Sequence, residues 1–140
     1  MPTIQTTYLG DLRTQATHLQ SGTKIITDAP TDNNGKGEAF SPTDLVAAAL
    51  GSCMMTIMGI VANRDAIDLK GSQMEITKVM SAEPPRKIAK IEIKLKMLTD
   101  RELKEVEQNK LIKAAYTCPV ALSLHADIEQ LISFEWVVDK

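Results

Sequence analysis

From Leu45 to Ala62 the chain runs eighteen residues without a charge, and any fold it adopts must find cover for that segment. A helix of about that length is long enough to cross a membrane. Here, however, the run is diluted by Ala47, Ala48, Ala49, Gly51, Ser52, Thr56, Gly59 and Ala62, and the remaining residues have the composition of an ordinary soluble domain. A helix apolar on all sides can equally be buried in a protein core, and small residues let other backbones approach it closely. We therefore expect a buried core helix and no membrane partner. Its start is marked by Ser41 as N-cap, Pro42 at the first helical position and Asp44 three residues after the cap, where a carboxylate meets free amide groups and the positive end of the helix dipole.

The rest of the chain supplies elements that could cover such a helix. At 140 residues it is read as one domain, 1–140, with no room for a second core. Strands are expected over 3–9, 12–19 and 23–28, separated by Gly10-Asp11 and Ser21-Gly22 as in a β-meander. Residues 29–40 are turn formers without apolar period and read as a surface loop. Its Gly35-Lys36-Gly37 fails as a phosphate loop, because no Ser or Thr follows the Lys and the glycine spacing is wrong.

After Gly71, Met74, Ile76 and Val79 suggest a strand, and Pro84-Pro85 a turn. Ile91, Ile93, Leu95 and Met97 then interleave with Lys90, Glu92, Lys94 and Lys96, a strand with one wet and one dry face. Thr99 and Glu102 read as a capping box opening a helix with Leu103, Val106, Leu111, Ala114 and Ala115 inward, ending near Tyr116. A short helix is expected after Pro119, and a last strand through Ile132, Phe134, Trp136 and Val138. This order lacks the regular βαβα rhythm of a parallel sheet, so the fold class is α+β.

Composition then removes function classes. Sixteen Lys and Arg against eighteen Asp and Glu, with few aromatics, leave neither a basic footprint nor stacking platforms for nucleic acid. Two cysteines, Cys53 and Cys118, without a leader pattern over residues 1–10, point away from a secreted disulfide framework and toward a reducing, cytoplasmic compartment. With His18 and His125 they show no zinc-ligand spacing, so no metal is expected.

Two thiols in such a compartment are either core residues or chemistry. Cys53 lies roughly 18 Å along the long helix from its N-terminus, beyond useful reach of the dipole. Its helical neighbours Ala49, Leu50, Thr56 and Ile57 form a largely apolar surround that disfavours a thiolate. On pattern alone it reads as an inert core thiol, reactive only if a cation reaches it from elsewhere. Cys118 precedes Pro119 at a helix start, where free amides favour a thiolate, so local electrostatics makes it the more acidic of the pair; a small buried residue at a turn fits that position equally well. His125 would lie about 10.5 Å further along that helix, too far for a Cys-His dyad. Met54, Met55 and Met58 could line a pliable pocket or simply fill the core.

The run SerProThrAspLeuValAlaAlaAlaLeuGlySerCys over 41–53, followed sixty-five residues after Cys53 by Cys118-Pro119, resembles the OsmC/Ohr family of osmotically induced and organic-hydroperoxide-resistance proteins. The resemblance implies antiparallel sheets packed around a long buried central helix and an intertwined homodimer with its sites at the subunit interface. It implies a thiol peroxidase acting on organic hydroperoxides, with sulfur as the redox centre, no cofactor, and an external dithiol as reductant. By this likeness Cys53 is the peroxidatic thiol and Cys118 the resolving one, the reverse of what the dipole alone selects. Arg13, in the N-terminal hairpin, becomes the cation beside Cys53.

Where the hydroperoxide-resistance branch places a Glu after the helix-opening Pro to hold that Arg, this chain has Thr43, with Asp44 next. Asp44 is nine residues before Cys53 and nearly on the opposite helical face, which suits a cap better; Glu38 in the loop could hold Arg13 instead. Leu50, Ile57 and the methionines suggest an apolar lining suited to alkyl or lipid peroxides. The rival is a dimeric binding or regulatory module for a small hydrophobic ligand, with both cysteines structural.

Overall fold

The computed structural model describes residues 1–139, which form two compact units, Met1–Val46 and Ala47 onward. In the first unit, β1 (Ile4–Gly10), β2 (Arg13–His18) and β3 (Lys24–Asp28) form an antiparallel meander in that order. The β1–β2 turn holds Asp11 and Leu12 at φ of 53° and 62°, the left-handed pair whose twist matches a tight hairpin; Arg13 therefore opens β2 directly. Residues 29–40 are a loop apart from one 3-10 turn at Thr31–Asn33.

The long helix α1 (Pro42–Arg64) begins where the sequence places it. Ser41 Oγ accepts from the Asp44 amide at 3.0 Å, and Asp44 Oδ2 accepts from the Ser41 amide at 3.0 Å, a reciprocal cap that satisfies donors left free at a helix start. The division between the two units falls inside α1.

In the second unit, β4 (Gln73–Met80), β5 (Ile88–Thr99) and β6 (Glu129–Val138) form a sheet with β5 central. Ile91, Ile93, Leu95 and Met97 of β5 are buried on one face, as period-two patterning requires. Ala47, Leu50, Gly51, Met54, Met58 and Ala62 of α1 are buried, and those apolar side chains share one core with the β5 set. Contact with β4 is tight enough that a Cβ on Gly51 would stand 2.6 Å from Ile76 Cδ1 and 2.8 Å from Met74 Sδ. That is why a glycine sits there.

Within one chain 33% of the most apolar window of the uncharged run is buried, and α1 is long and apolar enough to span a membrane. Ala49, Ser52, Thr56, Ile60 and Asn63 form an exposed stripe opposite the buried one. Several expectations are corrected. The second sheet is mixed rather than antiparallel, since β6 runs parallel to β5. The chain between them, through α2 (Glu105–Tyr116) and α3 (Pro119–Ser123), is a crossover that returns it in the same direction. On β4 the inward set is Met74, Ile76, Lys78 and Met80, and Val79 faces out.

The capping box also moves. Thr99 ends β5 and its hydroxyl donates to the Arg101 carbonyl, while α2 starts later, with the Lys104 amide donating to Glu107 Oε1 at 3.1 Å. Val106, five residues before Leu111 and so about 140° round the helix from it, is 78% exposed. Leu111, Ala114 and Ala115 are the buried face, and Leu103 is buried ahead of the helix.

Leu111→Ala should lower stability by about 2–5 kcal/mol through lost burial and a residual cavity, whereas Val106→Ala should leave the urea midpoint near that of the parent protein; equal losses would overturn this assignment of faces. Glu107, forked by Arg101 at 3.1 and 2.7 Å, has its carboxyl pulled from 4.5 down to about 2, by that pair first and by the Lys104 amide second. A depressed folded-state value stabilises the native state fully above the ordinary glutamate value and loses that contribution as pH falls toward 2. Acid unfolding of Glu107→Gln should accordingly be less steep over that interval than that of the parent protein.

Candidate active site

Both candidate thiols lie in the second unit. Cys53, on α1, is half-buried and Cys118 is buried, and both are free thiols. Cys53 packs against the apolar core that contains Cys118. Cys118 is the N-cap of α3, and its Sγ accepts from the Ala121 amide at 3.4 Å. The Thr117-Cys118-Pro119 signal is thus realised as a helix start.

The expected acidity is not. Burial pushes the Cys118 thiol upward, the Ala121 amide opposes this less strongly, and the adjacent Cys53 side chain pushes it up again. Desolvation of the anion outweighs a single weak amide bond to sulfur, and α3 is too short to add much dipole. Chemically, a half-buried thiol stands beside a buried, protonated one. Such a pair suits a sulfur that meets an oxidant first and a second that condenses with it.

His125 lies beyond the end of α3, exposed, with its Nδ1 accepting from the Asp127 amide. The apolar lining is revised as well. Leu50, Met54 and Met58 are fully buried core residues and line no opening, which leaves Ile57 and Met55 as the half-buried apolar neighbours of Cys53 on α1. A recess of about 590 Å³ lies over the middle of the second sheet, bordered by Gln73, Glu75, Lys94, Lys96 and Phe134; neither cysteine lines it. Among the described residues no cluster of His, Cys, Asp or Glu could hold a metal.

The first unit carries the third candidate, Arg13. Its Nε donates to Asp28 Oδ1 at 2.7 Å and its Nη2 to Asp28 Oδ2 at 2.9 Å. Nη2 also donates to Glu38 Oε1 at 2.8 Å. Glu38 is therefore a partner of Arg13, as one of the two alternatives has it, and Asp44 is engaged in the α1 cap. The principal holder, Asp28, is missing from the sequence reading. It lies directly opposite Arg13 in the β2–β3 register and is fully buried. The Arg13 guanidinium holds its carboxyl below the usual aspartate range, with the Glu38 amide and Lys36 assisting against desolvation. In turn the two carboxylates hold the Arg13 charge more firmly than in water.

A family model described as OsmC-like protein matches residues 35–130. Among solved structures, one from Psychrobacter arcticus 273-4, assigned provisionally as an osmotic stress induced and detoxification response protein, is 51% identical, covers 96% of each chain and superposes with a TM-score of 0.90. An OsmC like protein from Mycoplasma pneumoniae is 18% identical over 96% of this chain and 95% of its own, with a TM-score of 0.77. An organic hydroperoxide resistance protein OsmC from Legionella pneumophila is 21% identical over 96% of this chain and 98% of its own, with a TM-score of 0.69. At the last two identities the likeness is one of fold. No match was found among curated proteins.

The burial difference between the thiols predicts their order of modification. Under native conditions at neutral pH, iodoacetamide should label Cys53 well before Cys118, read residue by residue from peptide masses; equal labelling rates would contradict the placement of Cys118.

Proposed function

The chain belongs to the OsmC-like protein family, and on that premise we propose that it is a cysteine-based peroxidase that reduces organic hydroperoxides to alcohols. The observation that carries this reading is the neighbouring pair of free thiols, one half-buried on α1 and one buried at the start of α3. Relatives of the same fold bear the name organic hydroperoxide resistance protein, which supports the substrate class.

In the proposed cycle the Cys53 thiolate attacks the terminal oxygen of ROOH, the O–O bond breaks, and RO⁻ takes a proton to leave as ROH. Sulfur is oxidised by two electrons to the sulfenic acid. The Cys118 thiol then displaces the sulfenic oxygen as water, forming a disulfide that an external dithiol reduces in two exchange steps. A thiol kept protonated by burial is suited to the second role, since it does not compete for peroxide. Arg13 takes the part of the cation favouring the Cys53 thiolate, a role that the resemblance assigns and that a guanidinium, always charged, can fill. Reduction by an external dithiol fits the reducing, cytoplasmic compartment expected from the cysteine usage.

The reading includes a homodimer. The exposed stripe of α1 through Ala49, Ser52, Thr56 and Ile60 leaves an uncharged helix surface uncovered within one chain, and a second copy is the simplest cover.

Three measurements test the proposal. Cys53→Ser should abolish cumene hydroperoxide turnover, and unchanged turnover would leave the rival reading, a ligand-binding module with structural cysteines. Peroxide-oxidised protein should contain an intrachain Cys53–Cys118 disulfide by peptide mapping, and a persistently free Cys118 would remove its resolving role. Sedimentation equilibrium should return the mass of two chains.

A further inference from the structure

Arg13 is gripped unequally by its two carboxylates. Asp28 takes Nε and Nη2 with both oxygens, and its side chain has 0% exposure. Glu38 takes one bond from Nη2, and its side chain is 67% exposed. Asp28 is fixed by the strand ladder opposite Arg13, whereas Glu38 sits in a loop and is itself tethered to Asp28, its amide donating to Asp28 Oδ2 at 3.2 Å. One buried carboxylate thus ties together the guanidinium and the segment that carries the second carboxylate.

The bonds on Nε and Nη2 leave Nη1, which has no acceptor among the described residues. The guanidinium and its two carboxylates together carry a formal charge of −1, so at a distance the cluster does not attract an anion. What it can offer is a short, directed N–H bond from Nη1, which makes orientation rather than net charge the useful property.

Resting on the peroxidase reading above, we propose that Asp28 is the positioning residue for Arg13, setting the direction of Nη1, and that Glu38 is an accessory whose contact depends on Asp28. Asp28→Asn and Glu38→Gln each remove one negative charge from the cluster, so a pure charge effect would move them together and in the same sense. Positioning separates them. Asn keeps the shape of Asp but replaces one acceptor by a donor facing Nη2, which breaks the fork.

The test is the pH profile of Cys53 alkylation, resolved by peptide mass and needing no peroxide, alongside kcat/KM for cumene hydroperoxide. Arg13→Ala sets the scale by shifting the alkylation profile to higher pH. Asp28→Asn should shift it in the same direction and lower kcat/KM by about ten- to a hundredfold, while Glu38→Gln should move the profile less and change kcat/KM by at most about fivefold, the loss of one exposed ion-pair contact. Should Asp28→Asn not fold, Arg13→Lys keeps the charge, loses the fork, and should show the same shift. An unmoved profile in Asp28→Asn or Arg13→Lys, or parallel shifts in Asp28→Asn and Glu38→Gln, would overturn the assignment of Asp28. An unmoved profile in Arg13→Ala would instead remove Arg13 from the chemistry, and Asp28 with it. Absence of cumene hydroperoxide turnover in the parent protein itself, with the alkylation profiles still shifted as above, would strike the peroxidase reading alone.

Discussion

An uncharged helix has to be covered, and the second unit is organised by that need. Every buried position of α1 past the unit boundary, from Ala47 to Ala62, lies on one stripe, and the apolar face of β5 joins it in one core. Gly51 allows β4 to come close, and the side chains at the contact are the pliable ends of Met74 and Ile76. Hydrophobic burial is non-directional, but the glycine and the small residues around it give the packing a preferred place. Cys53 inherits its half-buried position from this arrangement, since it falls between the buried stripe and the exposed one.

Much of this was legible in the residues because the signals were local. The α1 cap needed only Ser41, Pro42 and Asp44 in order, and the β5 alternation needed only its own residues. Errors arose where a neighbour decided the outcome. Val106 reads as inward beside Leu103 in one continuous helix, but Leu103 lies ahead of α2, and the buried face is set by Leu111, about 140° round from Val106. The direction of β6 depends on where the crossover delivers it, which no period of two can reveal. Cys118 looked acidic from its own segment, and its burial by the rest of the unit reversed the sign.

Asp28 shows how small such an error can be. A turn centred on Ser21-Gly22 would set Pro30 opposite Arg13. The actual turn is centred one residue earlier, with the His18 amide bonded to the Thr23 carbonyl, and the register then sets Asp28 opposite Arg13. A shift of one residue in the turn centre moves the partner by two, and here it separates a proline from the carboxylate that anchors the ion cluster.

The crossover between β5 and β6 has a consequence for the order of assembly. The β1–β3 meander closes through short local turns, whereas β6 can join β5 only after the whole segment through α2 and α3 has been brought back, and long closures form slowly. The shell around Cys118 belongs to that late step, since α3 is fastened by Gln130 of β6 donating to the Ala121 carbonyl at 3.1 Å. Without β6, α3 lacks that bond, so the cover over the buried Cys118 thiol is a property of the completed sheet.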